Sequence, residues 1–176
     1  MKNLLYTALM SAALISCQSP KEAPTQMADE PTVIGYEYNE EGEKLNLIVG
    51  DLANAEVYLD YIQAHNEKNL DKIFDMNMED IVIKADDGRV INGRDNHKEA
   101  LSVWFAASNP TWKVNWMVAN TVQGRDGKNQ SWMTTGIDVT DTIDGISVLR
   151  HDVLDVNFVD GKVKELNVYT RKSEQK

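Results

Sequence analysis

The chain has 176 residues, with 28 acidic side chains against 18 Lys and Arg, a formal net charge of −10 and 42% hydrophobic residues. That balance suits one small globular domain. It disfavours nucleic acid and anionic lipid headgroups as direct partners, because both attract basic surfaces. A single cysteine, Cys17, allows no intramolecular disulfide and no cysteine-ligated metal site or cluster, so core packing must hold the fold.

The first 16 residues carry one early positive charge, Lys2, and then an apolar stretch from Leu4 to Ile15 broken only by small polar residues. The stretch is shorter than the about 20 residues that cross a bilayer as a helix, and it reads as an export signal. Leu14-Ile15-Ser16-Cys17 resembles the lipobox of bacterial lipoproteins. The resemblance implies cleavage before Cys17, acylation of its sulfur and the lipid bilayer as a partner, with about 0.8 kcal/mol of anchoring per buried CH₂. The other reading is an ordinary cleaved signal with Cys17 incidental. Gln18 rather than Asp after the cysteine argues for the outer membrane, with the leaflet open, and Lys21-Glu22 resembles in two residues the surface-export tag of Bacteroidetes lipoproteins.

Residues 17–31, with three prolines and no apolar run, read as a tether. Residues 32–50 form a lead-in whose strand-prone pieces, Thr32-Val33-Ile34 and Leu45–Val49, are either a hairpin or a partly ordered segment. From Leu52 the spacing of Leu52, Ala55, Leu59 and Ile62 predicts a helix. Asn69 predicts the cap of a second helix that buries Leu70, Ile73 and Phe74. Asp80–Ala85 reads as a strand, and Arg89-Val90-Ile91 is placed to pair back on it. A third helix starts near Asp95, buries Ala100, Leu101, Trp104 and Phe105, and stops before Asn109-Pro110. Trp112, Val114, Trp116 and Val118 then alternate with period two, predicting a strand with one apolar face. Trp132–Thr140, Ser147–Val159 and Lys162–Tyr169 complete an antiparallel meander, with a tight turn at Asp160-Gly161.

The order of these elements resembles the nuclear transport factor 2-like superfamily, and in particular its SnoaL-like branch. The matching landmarks are Tyr58 and Tyr61 in the first helix, Asn69-Leu70-Asp71 opening the second, Glu79-Asp80-Ile81-Val82 entering the first strand of the family domain, Gly93-Arg94-Asp95 before the third helix, and the Phe158–Val163 hairpin. The likeness covers residues 51–170 and leaves 171–176 as a polar tail. It implies an α+β, cone-shaped fold, with three N-terminal helices packed on a strongly curved antiparallel sheet around a cavity. It also implies homodimers through the outer face of the sheet. Members of the superfamily include isomerases, cyclases, dehydratases and epoxide hydrolases as well as domains that only bind, so fold cannot stand in for function.

Catalysis in this family is usually proton transfer, with a carboxylate or histidine as base and a tyrosine or protonated acid stabilising the oxyanion. Parity places Trp132, Thr134, Gly136 and Asp138 on one face of their strand, which is either the cavity face or the outer one. His151 shares a face with Leu149, Val153 and Asp155, while Asp152 points the other way. A neighbouring strand would therefore have to supply Asp138 as its partner, and a histidine that merely bridges strands is the alternative. Tyr58 and Tyr61 sit where a ketosteroid-isomerase-like member donates to its oxyanion, or else act as wedges in the packing. The catalytic candidates are thus His151, Asp138 and Tyr58, and the ligand-lining candidates are Tyr61, Trp104, Trp116 and Trp132. Trp104, Trp112 and Trp116 read first as core.

His65 and His97 read as solvent-facing. No HExxH, GxSxG or phosphate-cradling loop occurs, and no metal or cofactor is expected. The aspartate–arginine–aspartate set of epoxide-hydrolase members cannot be placed on the sequence. The residues alone therefore favour a lipid-tethered domain that binds an apolar or aromatic small molecule or another envelope protein. The alternative is a cofactor-free isomerase, cyclase or hydrolase.

Overall fold

The computed structural model describes residues 30–125 and 127–172. The signal segment 1–16, Cys17 and nearly all of the tether lie outside the described residues, as do residues 173–176 of the tail. Among the described residues no helix is long and apolar enough to cross a membrane.

The elements run β1 (Val33–Tyr38), β2 (Lys44–Val49), α1 (Ala53–Asn66), α2 (Leu70–Met76), β3 (Asn77–Lys84), β4 (Val90–Asn92), α3 (Arg94–Ala107), β5 (Thr111–Val122), β6 (Gln130–Ile143), β7 (Ile146–Val159) and β8 (Lys162–Lys172). The lead-in is a true hairpin, β1 on β2, and β2 continues onto β5. Asn69 caps α2, its side chain accepting from the Lys72 N–H at 3.0 Å. The β6–β7 and β7–β8 turns, Asp144-Gly145 and Asp160-Gly161, have positive φ at both residues. That is the two-residue geometry whose twist matches antiparallel strands.

The expected strongly curved, antiparallel cone is not what the strands form. They make one open, mixed sheet of eight strands in the order β1-β2-β5-β6-β7-β8-β3-β4, neither closed nor strongly curved. β3 lies parallel to β8, and the helices are not all N-terminal, since β1 and β2 precede α1 and β3 and β4 separate α2 from α3. The reason lies in the connections. The chain leaves α2 onto the edge of the last meander strand, which fixes the direction of β3. The β1–β2 hairpin widens the opposite edge, so the two ends of the sheet stay apart.

The helices cover one face of this sheet. Met133, Ile137 and Val139 of β6, Leu154 and Val156 of β7 and Val163 and Leu166 of β8 pack with Tyr58, Tyr61, Ile62, Ile73 and Leu101 in one core. Full burial of such side chains contributes about 1.5–3 kcal/mol each. The buried residues of α1 are Ala55, Tyr58, Tyr61, Ile62, Ala64 and His65, whereas Leu52 and Leu59 are 72% and 40% exposed. The helix is thus turned so that the larger aromatic bodies face the sheet. In β5 a bulge between Val114 and Trp116 reverses the alternation. Trp112, Val114 and Met117 pack against the core, while Trp116 and Val118 are exposed.

Candidate functional site

A cavity of about 110 Å³ lies between the helices and the sheet. Its walls are aromatic and aliphatic: Tyr58, Tyr61 and Ile62 from α1, Leu101 and Trp104 from α3, Trp112 from β5, and Ile137, Leu154 and Leu166 from the sheet. Trp104 and Trp112 meet edge to face with ring centroids 5.3 Å apart. Four further lining residues are polar or charged: His65, His97, Arg150 and Asp152.

Asp152 is 3% exposed. Thr170 Oγ1 donates to its Oδ1 at 2.6 Å, and Arg150 Nε donates to its Oδ2 at 3.1 Å. Both oxygens are held in place by neighbours on the same or the adjacent strand, which satisfies a charge that could not otherwise sit there. The Tyr58 hydroxyl is fully buried in the same cavity and makes no hydrogen bond. Burial first, and the nearby charge of Asp152 second, push its pKa above the ordinary tyrosine value. The group therefore stays a protonated donor. Leaving such a hydroxyl unsatisfied costs about 1–3 kcal/mol, and the Tyr61 hydroxyl is likewise buried without a partner.

Arg150 also faces a second buried carboxylate. Asp141, on the neighbouring strand β6, accepts from Trp104 Nε1 at 2.8 Å. Burial pushes the Asp141 pKa up, but the Ser108 and Trp104 side chains, the Thr142 N–H and the Arg150 charge together bring it below the usual range. An aspartate–arginine–aspartate grouping, Asp152, Arg150 and Asp141, thus assembles across β6 and β7. Arg150 and Asp152 lie two apart on one strand, and that spacing is the sequence signal that could have found them.

The residues singled out from sequence divide between the two faces. Tyr58, Tyr61 and Trp104 line the cavity. His151 and Asp138 do come together, Nδ1 to Oδ1 at 2.6 Å, and His151 beside it holds the Asp138 carboxyl below its usual range. They sit, however, in an outer groove of about 350 Å³ with Trp116, Gly136, Val153 and Arg171, on the face away from the helices. Parity puts Trp132 on that outer face as well, where its Nε1 donates to Gln130 Oε1 at 3.2 Å. His65 and His97 are buried, at 6% exposure each, rather than solvent-facing. Among the described residues no group of His, Cys, Asp and Glu side chains is arranged to hold a metal ion.

The sequence matches no family model and no curated protein. Solved structures do match it. An LEH-like epoxide hydrolase from M. tuberculosis is 14% identical with a TM-score of 0.56, over 68% of this chain and 83% of its own. A provisionally assigned ketosteroid isomerase from Kribbella flavida DSM 17836 is 12% identical with a TM-score of 0.53, over 70% and 82%. AclR from Streptomyces galilaeus, provisionally assigned as a hydroxylase, is 21% identical with a TM-score of 0.51, over 68% and 79%. Identities this low speak to architecture alone, and what they establish is that the chain shares the fold of these proteins.

Proposed function

We propose that this domain is a cofactor-free proton-transfer enzyme of the isomerase, cyclase or hydrolase class, acting on a small, largely apolar substrate in the cavity between helices and sheet. One observation carries the reading: an unpartnered, protonated Tyr58 hydroxyl and a doubly held Asp152 carboxylate line the same largely apolar cavity. Asp152 would accept the proton from a carbon acid or an attacking water, and Tyr58 would donate to the oxygen on which charge develops. Arg150 and Thr170 position the carboxylate. The cavity is somewhat smaller than the ~150 Å³ apolar cavity that holds benzene, which argues for a single ring or less.

Two single-ring probes test the reading. They are the isomerisation of cyclohex-3-enone to its conjugated isomer, followed by ultraviolet absorbance, and the hydrolysis of cyclohexene oxide to the diol. We expect turnover of at least one, reduced about 10²-fold or more by Asp152→Asn and by Tyr58→Phe. Turnover that survives both substitutions, or none with either probe, overturns the assignment.

From sequence we further propose that residues 1–16 are an export signal, that Cys17 carries the lipid anchor, probed below, and that residues 18–31 tether the domain to the outer membrane. Leu14-Ile15-Ser16 before the sole cysteine, and the three prolines that follow it, support this. Trp116, Val118, Val153 and Tyr169, exposed on the face away from the helices, support a second copy of the chain as a partner there.

A further inference from the structure

Away from Asp152 the cavity has another polar feature, and the proton inventory of two histidines defines it. His65 Nδ1 lies 2.8 Å from the Tyr61 carbonyl oxygen, which can only accept, so the His65 proton is on Nδ1. His97 Nδ1 lies 3.0 Å from Asn77 Nδ2, and with the amide in this orientation its N–H donates, which makes His97 Nδ1 the acceptor. Burial lowers both pKa values, to about 4 for His65 and about 3 for His97. Both rings are neutral at pH 7, and a neutral imidazole carries one N–H. His65 therefore has Nε2 as a free acceptor, and His97 has Nε2–H as a free donor. Neither Nε2 makes a hydrogen bond to another described residue, and both histidines line the cavity.

The ring centroids of His65 and His97 are 6.3 Å apart. Two hydrogen bonds of about 2.8 Å meeting at one oxygen span roughly 4.5 Å, less than the separation of the two ring centroids. The surroundings are mostly aromatic, with the Lys68 ammonium 5.2 and 5.1 Å from the Phe105 and Trp112 ring centroids. Tyr61, Trp112 and Phe105 have ring centroids 4.4, 5.4 and 6.4 Å from that of His65.

We propose that His65 and His97 form a recognition pair of opposite tautomers that selects a ligand bearing a hydroxyl on an otherwise apolar ring. The hydroxyl would donate to His65 Nε2 and accept from His97 Nε2–H. A ketone leaves His65 unpaired, an ammonium meets the His97 N–H, and a carboxylate places lone pairs against His65 Nε2. The proposal rests on the cavity being the ligand site, as proposed above, and adds the functional group that the site reads.

Phenol and toluene, nearly equal in size, are the probes, titrated into the full chain and followed by NMR. Long-range ¹H–¹⁵N spectra at pH 7 should show His65 protonated on Nδ1 and His97 on Nε2, with both signals moving on addition of phenol. Phenol should bind about tenfold more tightly than toluene. His65→Phe and His97→Phe should each cut that preference roughly threefold or more, the worth of one neutral hydrogen bond, while toluene affinity holds.

Identical tautomers on the two rings, equal binding of the two probes, binding of neither, or a preference untouched by both substitutions would each overturn the pair. The spectra of the unsubstituted chain decide the tautomers even if a variant fails to fold. Phenol selectivity without turnover of either probe substrate would remove the catalytic reading and leave this one standing. Turnover abolished by Asp152→Asn without phenol selectivity would do the reverse.

Discussion

Thr170 Oγ1 donates to Asp152 Oδ1 at 2.6 Å across directly paired positions of β7 and β8. The threonine is two residues from the end of the last strand, yet it fixes one oxygen of the carboxylate while Arg150 fixes the other. A hydrogen bond to a charged group contributes about 1.5–3 kcal/mol. Thr170→Val keeps the shape and removes the donor. It should lower the unfolding free energy in urea by about that amount and slow turnover of the probe substrate, because the freed carboxylate can rotate. Thr170→Ser should restore most of both.

Acid should unfold the domain earlier than its carboxylates alone would predict. His65 and His97 have folded pKa values of about 4 and about 3, depressed chiefly by burial, against about 6.5 unfolded. Between pH 6.5 and about 4 the unfolded chain binds protons that the folded one refuses. Stability is therefore complete above pH 6.5 and falls as pH drops through that window, by up to about 1.4 kcal/mol per pH unit for each histidine. Urea melts at pH 7, 6 and 5 should show the slope, and His65→Phe should remove roughly half of it. An unchanged slope would mean that the imidazoles are not held neutral in the core.

Two glycines should respond differently to alanine. At Gly50, between β2 and α1, an added Cβ would lie 2.5 Å from the Asn120 backbone nitrogen and 2.8 Å from the Ala119 carbonyl carbon. Gly50 N–H also donates to the Ala119 carbonyl at 3.1 Å. Backbone cannot step aside, so Gly50→Ala should cost about 1–3 kcal/mol, as overpacking does, and loosen the β1–β2 hairpin from β5 in hydrogen exchange. At Gly136 the clash is instead with the Trp116 indole, which is about half exposed and can swing off the sheet. Gly136→Ala should cost less in urea unfolding and shift Trp116 fluorescence to the red.

Cys17→Ser should move the protein from the detergent-rich to the aqueous phase on phase separation and abolish incorporation of labelled fatty acid. Retained label in that variant would contradict acylation at Cys17.

Much of the fold is legible in the residues because it depends on neighbours in sequence. Asn69 announces α2, Asn109-Pro110 announces the end of α3, and Asp160-Gly161 announces the last hairpin, each through a local backbone preference. The pairing of His151 with Asp138 also follows from alternation along two adjacent strands, since residues that share a face can meet across the sheet.

Long-range packing decided the rest. Alternation states which residues share a face but never which face the helices will cover. The helices lie over Met133, Ile137 and Asp152, so the His151–Asp138 pair was left outside and Asp152 was enclosed with Tyr58. One extra residue in β5 sent Trp116 outward while Trp112 stayed inside, a change of register invisible in an alternating pattern. The neutral state of His65 and His97 arises in the same way. Composition and local pattern determined an acidic domain and marked its three helices and long strands, whereas the docking of helices on one side of an open, mixed sheet selected which titratable groups lost water, and with it their chemistry.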